Sequence, residues 1–504
     1  MQNPVILSAK VPKTLLVINF LVGVFYILWW FSFQQVGSWV LYLLLLAGEI
    51  YHLIVAFLFW FTLWPKEIER LGPDPLYKPS VDIYITVCGE PVDVVEKTAI
   101  AARDLNYENH KVYLLNDGKV ANKDNWQEIA LLAANLGIRC ITRDVPGGAK
   151  AGNINNALKN TFGEIIVIFD ADMVPHEDFL EKTIYHFKKQ QVGFVQTPQY
   201  YQNFAKNDVS GGAWEQQELF FGPILAGKEK SNAVFICGTN VAIRRNALLS
   251  AGGMCETNIA EDFITSLLIH EKGWVSVYVP EVLAEGLAPE DLLSYFKQQL
   301  RWARGSLEVL FRFNPIFKNL SLSQKFQYLG SALYYLNGLI IAIDALAPLI
   351  FFFTGVSPVT SATTLFALFF IPFMLLNLFT LYLASGNRVT FRALAFSQAS
   401  FALQLQALAS IITNQKMGFS VTPKKALEGN FLSIVYPHLA YIGIAMLGFG
   451  FALHREGLTP SVVTNLAWVM FNVFLLLPFI SVAYPWEKIF TNAKLSFPRI
   501  RASN

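Results

Sequence analysis

The chain has 504 residues, of which 54% are hydrophobic and only 15% charged, against about 25% charged in an average soluble domain. That shortfall places much of the chain in a membrane, and a formal net charge of +2 excludes the global basic field that nucleic-acid binding needs. The four cysteines, Cys88, Cys140, Cys237 and Cys255, show no Cys-x-x-Cys or Cys/His ligand spacing. Reduced thiols in a cytosolic portion are expected, and no structural zinc.

In chain order, the first apolar run is too long for a cleavable signal, lacks a small-residue cleavage site and is followed closely by a second. Runs long enough to cross a bilayer, about 20 residues each, fall at 14–33, 38–64, 328–354, 362–384, 431–454 and 460–484, which predicts six spans. The connections near 34–38 and 355–361 carry no Lys or Arg, and the one near 455–459 carries only Arg455. Lys10, Lys13, Lys66, Arg388, Arg392, Lys424, Lys425 and Lys488 lie on the other side. That excess predicts a multi-pass cell-membrane protein with both termini and the central domain cytoplasmic.

The segment 390–413, with glutamines and serines spaced through an apolar helix pattern, reads as an amphipathic interfacial helix, a seventh span being the alternative. The expected organisation is two spans in 1–70, a soluble domain in 75–310, spans three and four in 311–390, the interfacial helix and a loop in 390–430, and two spans and a short tail in 431–504.

Within the soluble domain, "VDIYITV" (81–87), "KVYLLND" (111–117) and "EIIVIFDAD" (164–172) read as buried strands, with helical patterns around 92–104 and 125–136. Strands alternating with helices imply a parallel α/β sheet, whose ligands gather at the carboxyl ends of the strands. Two of these strands end in acid, one at Asp117 and one at Asp170 and Asp172. An Asp-x-Asp there suits a divalent cation, Mg²⁺ or Mn²⁺, that also binds a diphosphate. Asp262 in "ETNIAEDF" (256–263) is placed to take a proton from an acceptor hydroxyl, or simply to favour a helix N-terminus. In "KQQLRWARGS" (297–306), Gln298, Arg301 and Trp302 share one helical face. That face suits a sugar or diphosphate, or an interfacial anchor.

Taken in order, "NDG", "AKAGNINNAL" (149–158), "DAD", "CGTNVAIRR" (237–245), "AED" (260–262) and "QQLRW" (298–302) resemble the processive, membrane-embedded family 2 glycosyltransferases. The similarity is greatest to the cellulose synthase catalytic subunits. "GFSVTPKK" (418–425) is similar to their FxVTxK gating loop. The resemblance implies a GT-A-like α/β nucleotide-sugar-binding domain inserted in an α-helical transmembrane bundle. It implies that Glu90, Asp117, Lys150, Asp170, Gln298, Arg301, Thr422 and Lys424 hold the nucleotide sugar, with Asp117 at the base and Lys150 at the diphosphate. Asp172, with Asp170, takes the metal, and Asp262 is the general base. Trp302, Cys237, Gly238 and Thr239 meet the acceptor, Trp302 as a stacking platform.

The sequence departs from the family in three places. Asn116 precedes Asp117 where an aspartate is common, Cys88 stands where a tyrosine near the base is common, and Ala260 replaces a threonine. The chain ends at Asn504, so control through a C-terminal cyclic-di-GMP-binding barrel is not expected.

The activity implied is inverting, processive polymerisation of a β-linked glucan from UDP-glucose, with the growing chain leaving through the spans and no nucleic-acid partner. Accessory subunits leave no trace in the sequence. The alternatives are transfer of one sugar to a lipid, synthesis of mannan or another β-glycan from a different nucleotide sugar, and a transporter with a cytosolic regulatory domain. Among intramembrane residues, Glu49, His52 and Asp344 are functional candidates, with Asp344 expected to face a channel. Tyr334, Tyr335 and Tyr441 either line a sugar path or serve ordinary helix packing.

Overall fold

The computed structural model describes residues 5–484, except residues 7–8, 34, 69–71, 73, 75, 361–362, 416–426 and 428. Two apolar helices come first, α1 (Lys13–Trp30) and α2 (Trp39–Leu63). The soluble domain opens as β1 (Val81–Val87), α3 (Val92–Arg103), β2 (His110–Asn116), α4 (Trp126–Asn135), β3 (Arg139–Thr142), α5 (Ala149–Leu158) and β4 (Ile165–Asp170). It continues through β5 (Val174–Pro175), α6 (Phe179–Thr183), β6 (Val192–Gln196), β7 (Tyr200–Tyr201), α7 (Asp208–Leu219) and α8 (Ala226–Glu229). It ends with β8 (Val241–Arg244), α9 (Arg245–Ser250), α10 (Glu261–Glu271), β9 (Val275–Tyr278), β10 (Ala284–Gly286) and α11 (Leu292–Arg312). The remaining helices are α12 (Leu322–Leu333), α13 (Asn337–Thr354), α14 (Thr363–Ala384), α15 (Phe391–Ala399), α16 (Phe401–Ile412), α17 (Leu432–Glu456) and α18 (Pro460–Ser481).

All seven residues of β1 are buried, as expected of a strand covered on both faces. It pairs in parallel with β2 and with β4, and β2 pairs in parallel with β3. The seven-stranded order is β3-β2-β1-β4-β8-β6-β9. The sheet is mixed where a parallel one was expected, because β8 runs antiparallel to both β4 and β6. A second sheet, β5-β10-β7, lies beside it. The crossovers deliver the ends of β1, β2 and β4 to one edge, which is where the acidic residues lie.

Among the described residues, seven helical segments are long and apolar enough to cross a membrane, which marks the chain as a membrane protein. Six were expected, and the added one is Phe391–Ile412. That segment breaks at Ser400 into α15 and α16, of 9 and 12 residues. α15 lies against the soluble domain, where the Arg392 guanidinium binds Glu215 and, at 2.8 Å, Asp208, while Arg388 meets Glu218 at 2.8 Å. Close approach depends on Gly211 and Gly212 of α7. A Cβ on Gly211 would lie 2.6 Å from the Arg392 guanidinium, and one on Gly212 would lie 2.8 Å from the Phe396 ring.

Several helix starts are written locally. Asp291 caps α11 by accepting from the Ser294 N–H, Ser321 and Gln324 form a capping box on α12, and Thr459 with Pro460 opens α18.

Candidate active site

The donor side forms at the ends of β1 and β2. After β1, Glu90 turns back and its carboxylate accepts from the Cys88 N–H at 2.5 Å. Asp117 follows β2, and its N–H donates to Val87 O at 2.8 Å. The Arg143 guanidinium grips the Asp117 carboxylate with two parallel bonds, Nε to Oδ1 and Nη2 to Oδ2, each 2.7 Å. Both side chains are nearly buried, at 10% and 8% exposure. Arg143 was not anticipated. The only signal for it was a cation placed just after β3, beside the NDG strand end. Asn116, where the family commonly has a second carboxylate, is wholly buried; its side chain donates to Trp126 O at 2.8 Å and accepts from the Gly118 N–H at 2.9 Å. It shapes the turn. Burial, and then the charges of Glu90 and Asp117, push the Cys88 thiol up.

Lys150, in the first turn of α5, reaches across to Asp170 Oδ1 and to Gly238 O at 2.7 Å. Burial pulls its ammonium down, but Asp170, Glu261 and Asp262 more than offset this and its pKa rises. Lys150 is therefore a fixed cation at the meeting point of three carboxylates. Asp170 also accepts from the Thr86 hydroxyl at 3.3 Å. Asp172 is nearly buried, and its Oδ2 accepts from the Leu287 N–H at 3.3 Å. Beneath them the Tyr201 phenol is buried within reach of the charges of Asp172, Asp170 and Arg301.

Asp170 and Asp172 stand two residues apart at one strand end. No group of three or more His, Cys, Asp or Glu placed to hold a metal ion occurs among the described residues. The chain thus offers two carboxylates and no complete cage. That fits Mg²⁺ or Mn²⁺ held by one or two carboxylates and completed by phosphate oxygens.

The acceptor side is built around Asp262, in the first turn of α10. Its Oδ1 accepts from the Phe263 N–H at 2.7 Å. Desolvation in the cleft raises the Asp262 carboxyl against the pull of Lys150 and Arg301, and pushes neighbouring Glu261 to about 7. Gly238 lies flat against this carboxylate with φ +81°, and a Cβ there would stand 3.1 Å from Asp262 Oδ2. Cys237 borders the same cavity, its thiol pushed well up by burial and by Asp262. Thr239 lies next to Gly238, behind Asp170. It is wholly buried, and its hydroxyl accepts from the Asp170 N–H at 2.9 Å. In this structure it supports Asp170.

Gln298, Arg301 and Trp302 come from α11, which lies beside α10. Arg301 contributes its charge to Asp262 and Glu261, Trp302 borders the cavity, and Gln298 Oε1 is buried without a hydrogen-bond partner. Gln199, also unanticipated, borders the cavity and donates to Cys237 O at 2.6 Å. Thr422 and Lys424 lie outside the described residues. The two flanks of their segment are held by α11 and its cap: Arg304 donates to Gln415 O, and the Leu427 N–H donates to Asp291 at 3.1 Å.

A cavity of about 1170 Å³ begins at Asp262, Cys237 and Trp302 and passes Tyr334, Glu49, His52 and Asp344. It reaches Ser357 and Thr464, at the ends of the spans away from the soluble domain.

An α/β domain set on apolar helices, with Asp-x-Asp at a strand end and a buried aspartate facing a cavity, is a membrane-associated domain of GT-A-like fold. Residues 165–383 match the model for glycosyl transferase family group 2. It is 29% identical over 473 residues to the cellulose synthase catalytic subunit (UDP-forming) of Pseudomonas fluorescens, covering 90% of this chain and 63% of that protein. It is 34% identical to the cellulose synthase catalytic subunit (UDP-forming) of Xanthomonas axonopodis pv. citri, over 62% of this chain and 44% of that one. The chain thus spans less than two thirds of the length of these two relatives. Among solved structures, a mannosyltransferase from Pyrobaculum calidifontis in complex with GDP-Man and Mn²⁺ superposes with a TM-score of 0.55 at 18% identity, covering 75% of this chain and all of that one. That similarity carries the fold.

Proposed function

We propose that this protein is a processive, inverting glycosyltransferase that polymerises a β-linked glucan from UDP-glucose and passes the product through its own spans. The observation that carries this reading is the cavity itself, which starts at the candidate base and runs between the membrane helices to their far ends. The similarity to UDP-forming cellulose synthases supports the donor and the product class. In this reading the domain and both termini face the cytoplasm.

Asp262, with its raised carboxyl, takes the proton of the acceptor hydroxyl as that oxygen attacks the anomeric carbon and UDP leaves from the opposite face. Lys150 and Arg301 hold the departing diphosphate, and Trp302 supports the acceptor sugar. Arg143 fixes the Asp117 carboxylate for the base. Asp172 and Asp170 would hold a divalent cation, which would supply charge neutralisation at the diphosphate. Thr422 and Lys424 reach the same diphosphate from the segment flanked by Gln415 and Leu427, while α15 and α16 lie in the interface.

The test is UDP release by purified protein in nanodiscs, with UDP-glucose, UDP-N-acetylglucosamine, UDP-galactose and GDP-mannose offered separately. Linkage-specific glucanase digestion of any polymer follows. Turnover of UDP-glucose into a glucanase-sensitive polymer is expected. A product that extracts into organic solvent with one sugar attached sinks the reading, and turnover of GDP-mannose instead overturns the donor assignment.

A further inference from the structure

The last residue of β6 is Gln196, and the chain runs on from it as "QTPQ" (196–199) beside the loop 237–240. Gln196 and Thr197 are wholly buried, as are Thr239 and Asn240 of that loop. The Gln196 amide holds the loop at two points. Its Oε1 accepts from the Cys237 N–H at 2.9 Å, and its Nε2 donates to Thr239 O at 2.9 Å and to Thr197 O at 2.7 Å. Around it Thr197 donates to Asn240 O from both its N–H and its hydroxyl, each at 3.1 Å. The Asn240 Nδ2 donates to Pro198 O at 2.9 Å, and the Gln199 Nε2 donates to Cys237 O at 2.6 Å. Two residues of the loop are left-handed, Gly238 at φ +81° and Asn240 at φ +54°. Most side chains resist that conformation, and the bonds from 196–199 hold the loop in it.

The loop's shape matters at Asp262. The Phe263 N–H occupies Asp262 Oδ1, which leaves Oδ2 to receive a proton, and the Gly238 backbone forms a wall against Oδ2. On its other side Gly238 O accepts from Lys150 at 2.7 Å, so a shift of the loop disturbs that cation too. A water molecule can give its proton to such a carboxylate and attack the anomeric carbon just as a sugar hydroxyl does. What favours the sugar is a wall that aligns its oxygen and leaves no room for water. An apolar side chain at 196 would leave the Cys237 N–H and the Thr239 carbonyl without this partner in a buried place, and the wall would slacken.

We propose that Gln196 is a positioning residue which, by moulding residues 237–240 against Asp262, sets the preference for an acceptor hydroxyl over water. This rests on the reading of Asp262 as the base. With the wall firm, the acceptor oxygen bonds to the anomeric carbon, its proton passes to Asp262 and UDP leaves. With the wall slack, the oxygen of water forms that bond instead, its proton passes to the same carboxylate, UDP leaves as before and the product is free glucose.

The experiment counts free glucose and polymer separately in one reaction of the full chain in nanodiscs with radiolabelled UDP-glucose and Mg²⁺. Their ratio does not depend on how much of the protein is active, so a merely structural loss does not move it. Gln196→Met, close in volume and unable to make these bonds, is expected to raise the ratio of free glucose to polymer about tenfold, roughly one hydrogen bond of alignment. The KM for UDP-glucose is expected to stay as it is. Should Gln196→Met fail to elute as a monodisperse protein, Asn240→Gly takes its place under the same criterion, since glycine keeps the left-handed backbone and drops the bond to Pro198 O. Gln324→Met, which removes a buried amide from the capping box of α12, is expected to lower the melting temperature and leave the ratio unchanged. A wild-type ratio in Gln196→Met, or an equal rise in Gln324→Met, overturns the positioning role and leaves the function intact. A wild-type chain that releases no UDP from UDP-glucose overturns the functional reading and the positioning role with it.

Discussion

At the residue scale the chemistry turns on a few charges in a desolvated cleft. Asp262→Asn keeps the shape and removes the base, so UDP release is expected to fall about 10²–10⁴-fold while UDP still binds by calorimetry. The pH profile follows from the sign of the shift. A carboxyl raised by burial, beside Glu261 at about 7, holds its proton to higher pH than a free aspartate. Activity is therefore lost as pH falls through that raised value, and the acid limb of kcat lies above the usual aspartate range. Glu261→Gln is expected to leave the limb nearly in place, because a Glu261 carboxyl raised to about 7 is already neutral where Asp262 titrates. Arg143→Lys loses the planar two-bond grip on Asp117. Its KM for the donor is expected to rise by about tenfold, roughly one lost charged hydrogen bond, with kcat much less affected.

At the element scale, the strands were legible where burial dictated composition. "VDIYITV" is β1 to the residue, and the expected 111–117 and 164–172 differ from β2 and β4 only at their ends. Strand direction was not legible. "VAIR" carries no mark of running antiparallel to β4, because direction is set by the path of the connections rather than by side-chain pattern. The break at Ser400 was equally silent. No proline or glycine marks it, and α15 and α16 part because they pack on different neighbours.

The helix carrying Asp262 is tied to the third span through His270. Its Nδ1 bonds the Tyr328 hydroxyl at 2.7 Å and its Nε2 bonds Ser276 Oγ at 2.9 Å. Burial drops the His270 pKa to about 3. A neutral histidine in the fold and an ionisable one in the unfolded chain mean that this contribution is whole above about 6.5. It is lost as pH falls from there towards about 3. Tyr328→Phe leaves His270 without one partner and is expected to cost about 1–3 kcal/mol, read as a lower melting temperature in detergent.

At the scale of the whole molecule, the proposed donor site, base and conduit are one arrangement. α10 and α11 bring Asp262 and Trp302 from separate parts of the chain to the cavity mouth, and α2 and α13 line its middle. Chelation of divalent cations is expected to abolish UDP release, with recovery on adding Mn²⁺ or Mg²⁺. Asp172→Asn is expected to weaken that recovery by raising the cation concentration needed.

What the sequence determined by itself was the local chemistry. Apolar run length, strand burial and strand-end acids each follow from neighbouring residues, so the apolar helices, the first strands and the placing of Asp117, Asp170 and Asp172 at strand ends could be read directly. Tertiary structure alone decided which distant groups meet. Arg143 finds Asp117 from the end of the neighbouring strand, the Thr239 hydroxyl meets the Asp170 N–H, and His52 meets Asp344 only because α2 and α13 touch at Gly48. Local pattern follows from burial and backbone geometry over a few residues, whereas these meetings depend on how elements far apart in the chain pack against one another.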